Sequence, residues 1–238
     1  MAKILVTGST EGLGLLTAKK LISQGNEVVL HARNEQRAAE VKQALPQVKN
    51  IVIGDLSSRK DIDNLAKQIN KLGSFDAIIH NAGVYTGNAK LTFQVNVLAP
   101  YLLTMLVKQP KRLIFVSSGM HVGSHLNLDN LMDLDYSGSK LQILLLTKVL
   151  ARLWPNVTAT AVDPGWVPTR MGGAAASDDL TLGYTTQVWL ATLNNVSVSG
   201  NYYHHMKLAT YDRRADDETI QDRFLTEMQK ISGVNFVK

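Results

Sequence analysis

"KILVTGSTEGLG", residues 3–14, decides the fold. Three large apolar residues, Ile4, Leu5 and Val6, run into a loop carrying Gly8, Gly12 and Gly14, and a helical pattern follows to about Gln24. A short apolar run of this kind reads as a buried strand. Glycines after it let the backbone turn sharply and approach a ligand closely. A helix opening out of the loop turns its positive N-terminus toward an anion such as a pyrophosphate. The spacing is G-x-x-x-G-x-G rather than G-x-G-x-x-G, and an ordinary strand-to-helix turn also explains it when it is taken alone. Its place after the first strand of an alternating pattern points to dinucleotide binding.

That alternation continues outward. "NEVVLHA", "VKNIVIGD", "FDAIIHNAG", "KRLIFVSS" and "VTATAVDPG" read as five further strands. Between them lie helices through "EQRAAEVKQAL", from Arg59 to Lys71, through "FQVNVLAPYLLTMLV", and from Tyr136 to about Leu153. Near-continuous apolar strands alternating with helices predict a parallel sheet covered on both faces. Right-handed crossovers make it a doubly wound, Rossmann-like α/β fold. Residues 1–238 show no repeat, linker or low-complexity tract, and one domain is expected.

Composition bounds the function. The chain has 238 residues, 45% of them hydrophobic and 19% charged, which suits a sizeable core and excludes a disordered chain. It has no cysteine, so disulfides, thiolate catalysis and cysteine-ligated zinc are excluded. The net charge is +5, yet no three Lys or Arg are consecutive; no nucleic-acid partner is expected, and an anionic small molecule suits the charge as well. "MAKILVTG" is too short for a signal peptide, and "LQILLLTKVLARLW" is broken by Lys148 and Arg152. No membrane span is expected, and the protein is read as cytoplasmic.

In an open doubly wound sheet, ligands bind beyond the carboxyl ends of the strands. Those ends carry His31-Ala32-Arg33, Asp55-Leu56, Asn81-Ala82-Gly83, Ser117-Ser118 and Asp163-Pro164-Gly165. Turn chemistry explains any one of these, but less readily the whole set. "DYSGSK", residues 135–140, adds Tyr136 and Lys140 four positions apart on a predicted helix, where both project from one face.

With these motifs in order, the sequence resembles the short-chain dehydrogenase/reductase family, in its classical single-domain form, from Lys3 to about Met206. The motifs are "TGSTEGLG", "GDL", "HNAG", Asn96 in "FQVNVLAP", "VSS" at 116–118, "YSGSK" and "DPGWVPT". The resemblance implies a catalytic set of Asn96, Ser118, Tyr136 and Lys140. It implies that the loop residues Gly8, Ser9, Thr10, Gly12, Leu13 and Gly14 border the pyrophosphate. Asp55 and Leu56 would touch the adenine, and Asn81, Ala82 and Gly83 the adenosine side. Pro164, Gly165, Val167 and Thr169, together with Tyr136 and Lys140, would meet the nicotinamide end. There are departures from the family pattern. His80 stands where the family usually has Asn, which is expected to perturb the adenine side mildly. Tyr136 lies 18 positions after Ser118, a longer gap than is common. The intervening "GSHLNLDNLMDL" and the later "SGNYYHHMK" are similar to retinol-dehydrogenase-like members.

The implied reaction is hydride transfer between NADP(H) and a small-molecule alcohol or carbonyl compound. A free phenol has a pKa near 10, so Tyr136 would need the Lys140 ammonium to act as acid and base at neutral pH. Ser118 would hydrogen-bond the carbonyl oxygen, and Asn96 would hold a water on a proton path to Lys140. NADP(H) is expected over NAD(H). The second strand ends in Ala32 and not in an acid that would hold the ribose hydroxyls. Arg33, with Arg37 one turn on, suits a 2′-phosphate, and Glu11 is a counterweight. No metal is expected, although His121, His125, His204 and His205 draw attention. Tyr85 and Trp166 are read either as substrate-facing or as packing. Residues 171–180, "MGGAAASDDL", are read either as a mobile loop over the site or as a connector. Two other functions compete: a dinucleotide sensor without turnover, and a nucleotide-sugar epimerase or dehydratase, which would need a larger C-terminal region. The resemblance also implies a homodimer or homotetramer.

Overall fold

The inner strands lie side by side in one sheet because each is apolar on both faces and has to be covered twice. The computed structural model of the protein describes residues 1–193 and 198–236. Among these the sheet has eight strands: β1 Lys3–Val6, β2 Glu27–Ala32, β3 Asn50–Ile53, β4 Ala77–His80, β5 Arg112–Val116, β6 Thr158–Asp163, β7 Tyr202–His204 and β8 Lys207–Leu208. Their order is β3-β2-β1-β4-β5-β6-β7-β8, parallel throughout except for the antiparallel β7–β8 pair. Val6 sits between Leu30 of β2 and Ile79 of β4. The chain winds outward from β1 to β3 and then returns to the other side of β1 as β4. That reversal opens a crevice at the carboxyl ends of β1 and β4, where such folds bind ligands.

One face of the sheet is covered by α1 (Gly12–Ser23), α2 (Glu35–Ala44) and α7 (Leu180–Thr192), through Ala18, Leu21, Val41, Val188 and Leu190. The other is covered by α3 (Arg59–Lys71), α4 (Ala89–Phe93), α5 (Ala99–Leu106), α6 (Tyr136–Leu153) and α8 (Glu218–Ser232). In α3, Ile62, Leu65, Ala66 and Ile69 are buried at helical spacing, and the Ser58 hydroxyl caps the first turn by accepting from Asp61 N at 3.3 Å. Helix α6 is apolar through Leu141 and Ile143–Leu146 because it lies between the sheet and α8. Asp135 caps it by accepting from Gly138 N at 2.8 Å, which makes Tyr136 its first residue. No helix among the described residues is long and apolar enough to cross a membrane.

The structure departs from the sequence reading in two places. The predicted helix through residues 93–107 is α4 and α5 joined by one π-turn over Gln94–Leu98, a local widening that often marks functional positions. Beyond residue 163 the sequence reading assigned no elements. There, α7, the short edge strands β7 and β8, and α8 complete the fold.

Three buried histidines make the fold acid-sensitive. Burial lowers the pKa of His31 and His121 below the ordinary value and brings that of His80 to about 3. In the unfolded chain all three take up a proton near pH 6.5, while the folded protein leaves them neutral. Stability is therefore greatest above pH 6.5 and falls as pH drops below it, at a slope approaching about 1.4 kcal/mol per pH unit for His80, with His31 and His121 acting in the same direction. Asp76 and Asp212, held below the usual carboxylate range chiefly by Lys111 and Arg214, add to the loss only at still lower pH. Urea midpoints at pH 7.5 and pH 5.5 should differ clearly, and equal midpoints would contradict this account.

Candidate active site

The glycine loop is shaped by close approach. Gly8 has φ +62°, and a Cβ on it would lie 2.9 Å from the Cα of Ala82. A Cβ on Gly14 would lie 2.3 Å from the Gly8 carbonyl oxygen, so neither position accepts a side chain. The residue at the N-cap of α1 is Glu11, whose side chain caps nothing. By contrast Asn34, Ser58, Asn88, Asp135, Asp179 and Asp217 cap α2, α3, α4, α6, α7 and α8. The first N–H groups of α1 are thus left without a side-chain acceptor beside a tight glycine loop, an arrangement that fits a pyrophosphate. Ser9 and Thr10 complete the loop, and Leu13 packs near Gly183 of α7.

His31 braces this loop, a role the sequence reading missed. Its Nδ1 accepts from Gly8 N at 2.9 Å, and its Nε2 lies 2.9 Å from the Gly54 carbonyl oxygen. An N–H can only donate and a carbonyl can only accept, so the imidazole is neutral with its hydrogen on Nε2. His31 N also donates to the Ser9 hydroxyl at 2.9 Å. From the other side, Thr7 Oγ1 accepts from the backbone N of both Asn81 and Ala82 at 3.0 Å. The Asn81 amide donates to Thr7 O at 3.0 Å and Gly8 O at 3.3 Å, so it stitches β4 to the loop. His80 is buried. It stacks on Phe115 at 4.8 Å and meets Thr104 Oγ1 at 3.1 Å, because the pleat turns it to the face opposite Asn81.

The expected catalytic residues come from three parts of the chain, the π-turn, the turn after β5 and α6, and meet beside the crevice. Asn96, in the π-turn, accepts from Val84 N at 2.8 Å and donates to Val84 O and Ser139 Oγ, both at 3.0 Å. Both amide hydrogens are thereby used, and the side chain pins the backbone next to Gly83. A Cβ on Gly83 would lie 3.4 Å from Asn96 Oδ1 and 3.5 Å from Lys140 Nζ, which places Asn96 and Lys140 around one point. Lys140 is buried and donates to Val116 O at 2.9 Å. Its ammonium lies over the Tyr136 ring, 5.3 Å from the centroid. Tyr136 is hydrogen-bonded to Ser118, and exposed Tyr85 packs edge-on against it at 4.8 Å.

The electrostatics run against the simplest expectation for this pair. Burial raises the Tyr136 pKa to about 12, assisted by the Asp163 carboxylate and by Tyr85, and the Ser118 hydrogen bond only partly offsets this. Burial lowers Lys140 to about 8, with Asp163 acting the other way. The phenol is thus held in its acid form, and the ammonium is still mostly charged at neutral pH.

The remaining predicted residues follow the carboxyl ends of β2, β3 and β6. Asp55 turns its carboxylate onto Ser57, accepting from N and Oγ at 2.8 Å, and Leu56 is buried. Arg33 is exposed and, among the described residues, without an ion-pair partner, whereas Ala32 is fully covered. Arg37 pairs with Glu11 at 3.5 Å, and Arg170 reaches the same carboxylate at 3.7 Å. Past β6, Pro164 and Val167 are buried against α7, Gly165 N donates to Asp163 Oδ1 at 2.9 Å, and Thr169 touches the loop at Gly12. Trp166 is exposed and is bridged to Asp178, whose carboxylate accepts from Trp166 N at 2.7 Å and whose N donates to Trp166 O at 3.0 Å. Residues 171–180 therefore fold back on the Pro-Gly turn. Among the described residues no group of three or more His, Cys, Asp or Glu could hold a metal ion.

Comparison with known proteins agrees with this geometry. The family model described as short chain dehydrogenase matches residues 2–180. The chain is 35% identical to the short-chain dehydrogenase chyC of Penicillium rubens, covering 98% of each. It is 28% identical to retinol dehydrogenase 13 of Homo sapiens, over 97% of this chain and 84% of that protein. The fold superposes on the Pseudomonas aeruginosa RhlG/NADP active-site complex with a TM-score of 0.71, at 20% identity over 84% of this chain and 93% of that one.

Proposed function

Since the chain belongs to the short-chain dehydrogenase/reductase family and is an oxidoreductase, we propose that it reduces a carbonyl group with NADPH, Tyr136 serving as the acid. The observation that supports this most is the contact of Ser118 with a phenol kept protonated near pKa 12, beneath the buried Lys140 ammonium. When bound, the dinucleotide supplies the hydride. Ser118 hydrogen-bonds the carbonyl oxygen and stabilises the charge developing there. Tyr136 donates its proton to that oxygen. Lys140 and Asn96 hold the polar surroundings of the phenol, and Lys140 has two N–H groups beyond its bond to Val116 O with which to meet the ribose. Following NADPH consumption with benzaldehyde, an aliphatic aldehyde, a cyclic ketone and an ortho-quinone tests the reading. NADPH binding without turnover on any of them would favour the sensor alternative.

NADP(H) preference belongs to the same proposal. The charged fork of Arg33 is exposed beside the crevice, and the solved relative named above is an NADP complex. One charge-assisted contact contributes roughly 1.5–3 kcal/mol, about tenfold to a hundredfold in affinity. NADPH should bind more tightly than NADH by that factor, trimmed by Glu11 where it pairs with Arg37. Arg33→Ala should bring the two dissociation constants together. An acid at position 32 is a poorer test, because Ala32 is fully covered and a carboxylate there would be desolvated. Equal or tighter NADH binding by the unmodified protein would remove the preference and leave the oxidoreductase intact.

A further inference from the structure

We infer that His121, fastened by Asp212, is a positioning residue for Ser118, so that the C-terminal segment around 212–214 belongs to the active site. This rests on the reading of Ser118 as the group that meets the carbonyl oxygen. The segment lies beyond residue 180, where the family match ends. His121 is fully buried, and its Nδ1 lies 2.6 Å from the Ser118 carbonyl oxygen. Its Nε2 accepts from Asp212 N at 3.1 Å. A carbonyl cannot donate and an N–H cannot accept, so one form satisfies both contacts: the neutral imidazole with hydrogen on Nδ1. A protonated ring would set two donors face to face at Asp212 N.

Asp212 is itself clamped. Its carboxylate accepts from Gly123 N at 2.9 Å and from Arg214 Nε and Nη2 at 2.9 and 2.6 Å. Arg214 Nη2 also donates to Ser124 O at 2.7 Å. The turn that follows Ser118 is therefore held at His121, Gly123 and Ser124 by 212–214, and Tyr202 packs against the His121 ring at 4.9 Å. The Ser118 hydroxyl, which accepts from Met120 N at 3.3 Å and bonds Tyr136, takes its position from that turn. A displacement of about 1 Å at a reacting group can cost on the order of a hundredfold in rate. The clamp supplies position alone, since no group in it touches the reacting atoms.

The test combines a double-mutant cycle with a spectroscopic signature. With benzaldehyde and saturating NADPH, His121→Ala should lower kcat by about tenfold to a hundredfold and leave the NADPH dissociation constant unchanged. His121→Asn, whose amide keeps a donor toward Ser118 O, should recover much of the loss, and His121→Gln should recover less. In a Ser118→Ala background, His121→Ala should cost little more, because it acts through that serine. The same factor in both backgrounds, or an unchanged kcat in the single variant, would overturn the inference while leaving the proposed function standing. Full turnover by Ser118→Ala alone would take down the reading of the site and the inference with it. Independently of any variant, nitrogen NMR of the wild-type protein should show His121 with a protonated Nδ1 and a bare Nε2. The opposite tautomer would overturn the clamp.

Discussion

Tyr136→Phe is expected to cut turnover by about a hundredfold to ten-thousandfold, the usual contribution of a positioned general acid. Cofactor affinity should hardly change. The ring still packs against Tyr85 and under the Lys140 ammonium, and only the hydroxyl bonded to Ser118 is lost. The pH dependence follows from the sign of the shift. With the phenol near 12, Tyr136 stays protonated through the neutral range, so the reductive rate has no limb from this group below that pH. The reverse reaction needs the phenolate and should rise with pH until Lys140 loses its charge near pH 8. Single-turnover rates in both directions check this, and wild-type turnover by the Phe variant would remove Tyr136 from the mechanism.

Lys140→Met should damage binding and chemistry together. Methionine keeps the apolar stem in its buried slot and deletes the charge, which avoids the cavity that alanine would leave. The loss of one charge-assisted contact should weaken NADPH binding by about tenfold to a hundredfold, and kcat should fall as well because the ammonium no longer lies over Tyr136. In the wild type that charge is lost as pH rises through about 8, which predicts a basic limb in the free-enzyme profile. An effect on kcat alone would remove the ribose contact. An effect on binding alone would separate Lys140 from the phenol.

The pairing of Tyr136 with Lys140 was legible because helical spacing is local. Tyr136 and Lys140 share a face wherever that helix lies. The glycine loop was legible because Gly8 and Gly14 stand where backbone meets backbone. The roles of histidines were not. His31 and His121 each bind groups far away in sequence, Gly8 and Gly54 for one and Asp212 for the other, and no spacing rule encodes such partners. A buried polar residue ending a strand was the available signal for His31. The nearness of His121 to Ser118 was the signal for the other.

What the sequence determined by itself is what short-range chemistry dictates: the alternation of strands and helices, the parallel doubly wound sheet, the glycine turn and the family. Apolar periodicity and turn residues act over a few positions, and a chain of this pattern has few ways to cover its sheet. Tertiary structure alone decided three things. The edge strands Tyr202–His204 and Lys207–Leu208 form because β6 offers a free edge, and at three and two residues they are too short for periodicity to declare them. The π-turn at Asn96 is held by that side chain's grip on Val84, twelve residues back. The high pKa of Tyr136 depends first on how much water the fold removes and then on Asp163 and Tyr85, brought beside it from other strands and loops. Desolvation and Coulomb energies depend on distances in space, and those exist only once the sheet has closed around them.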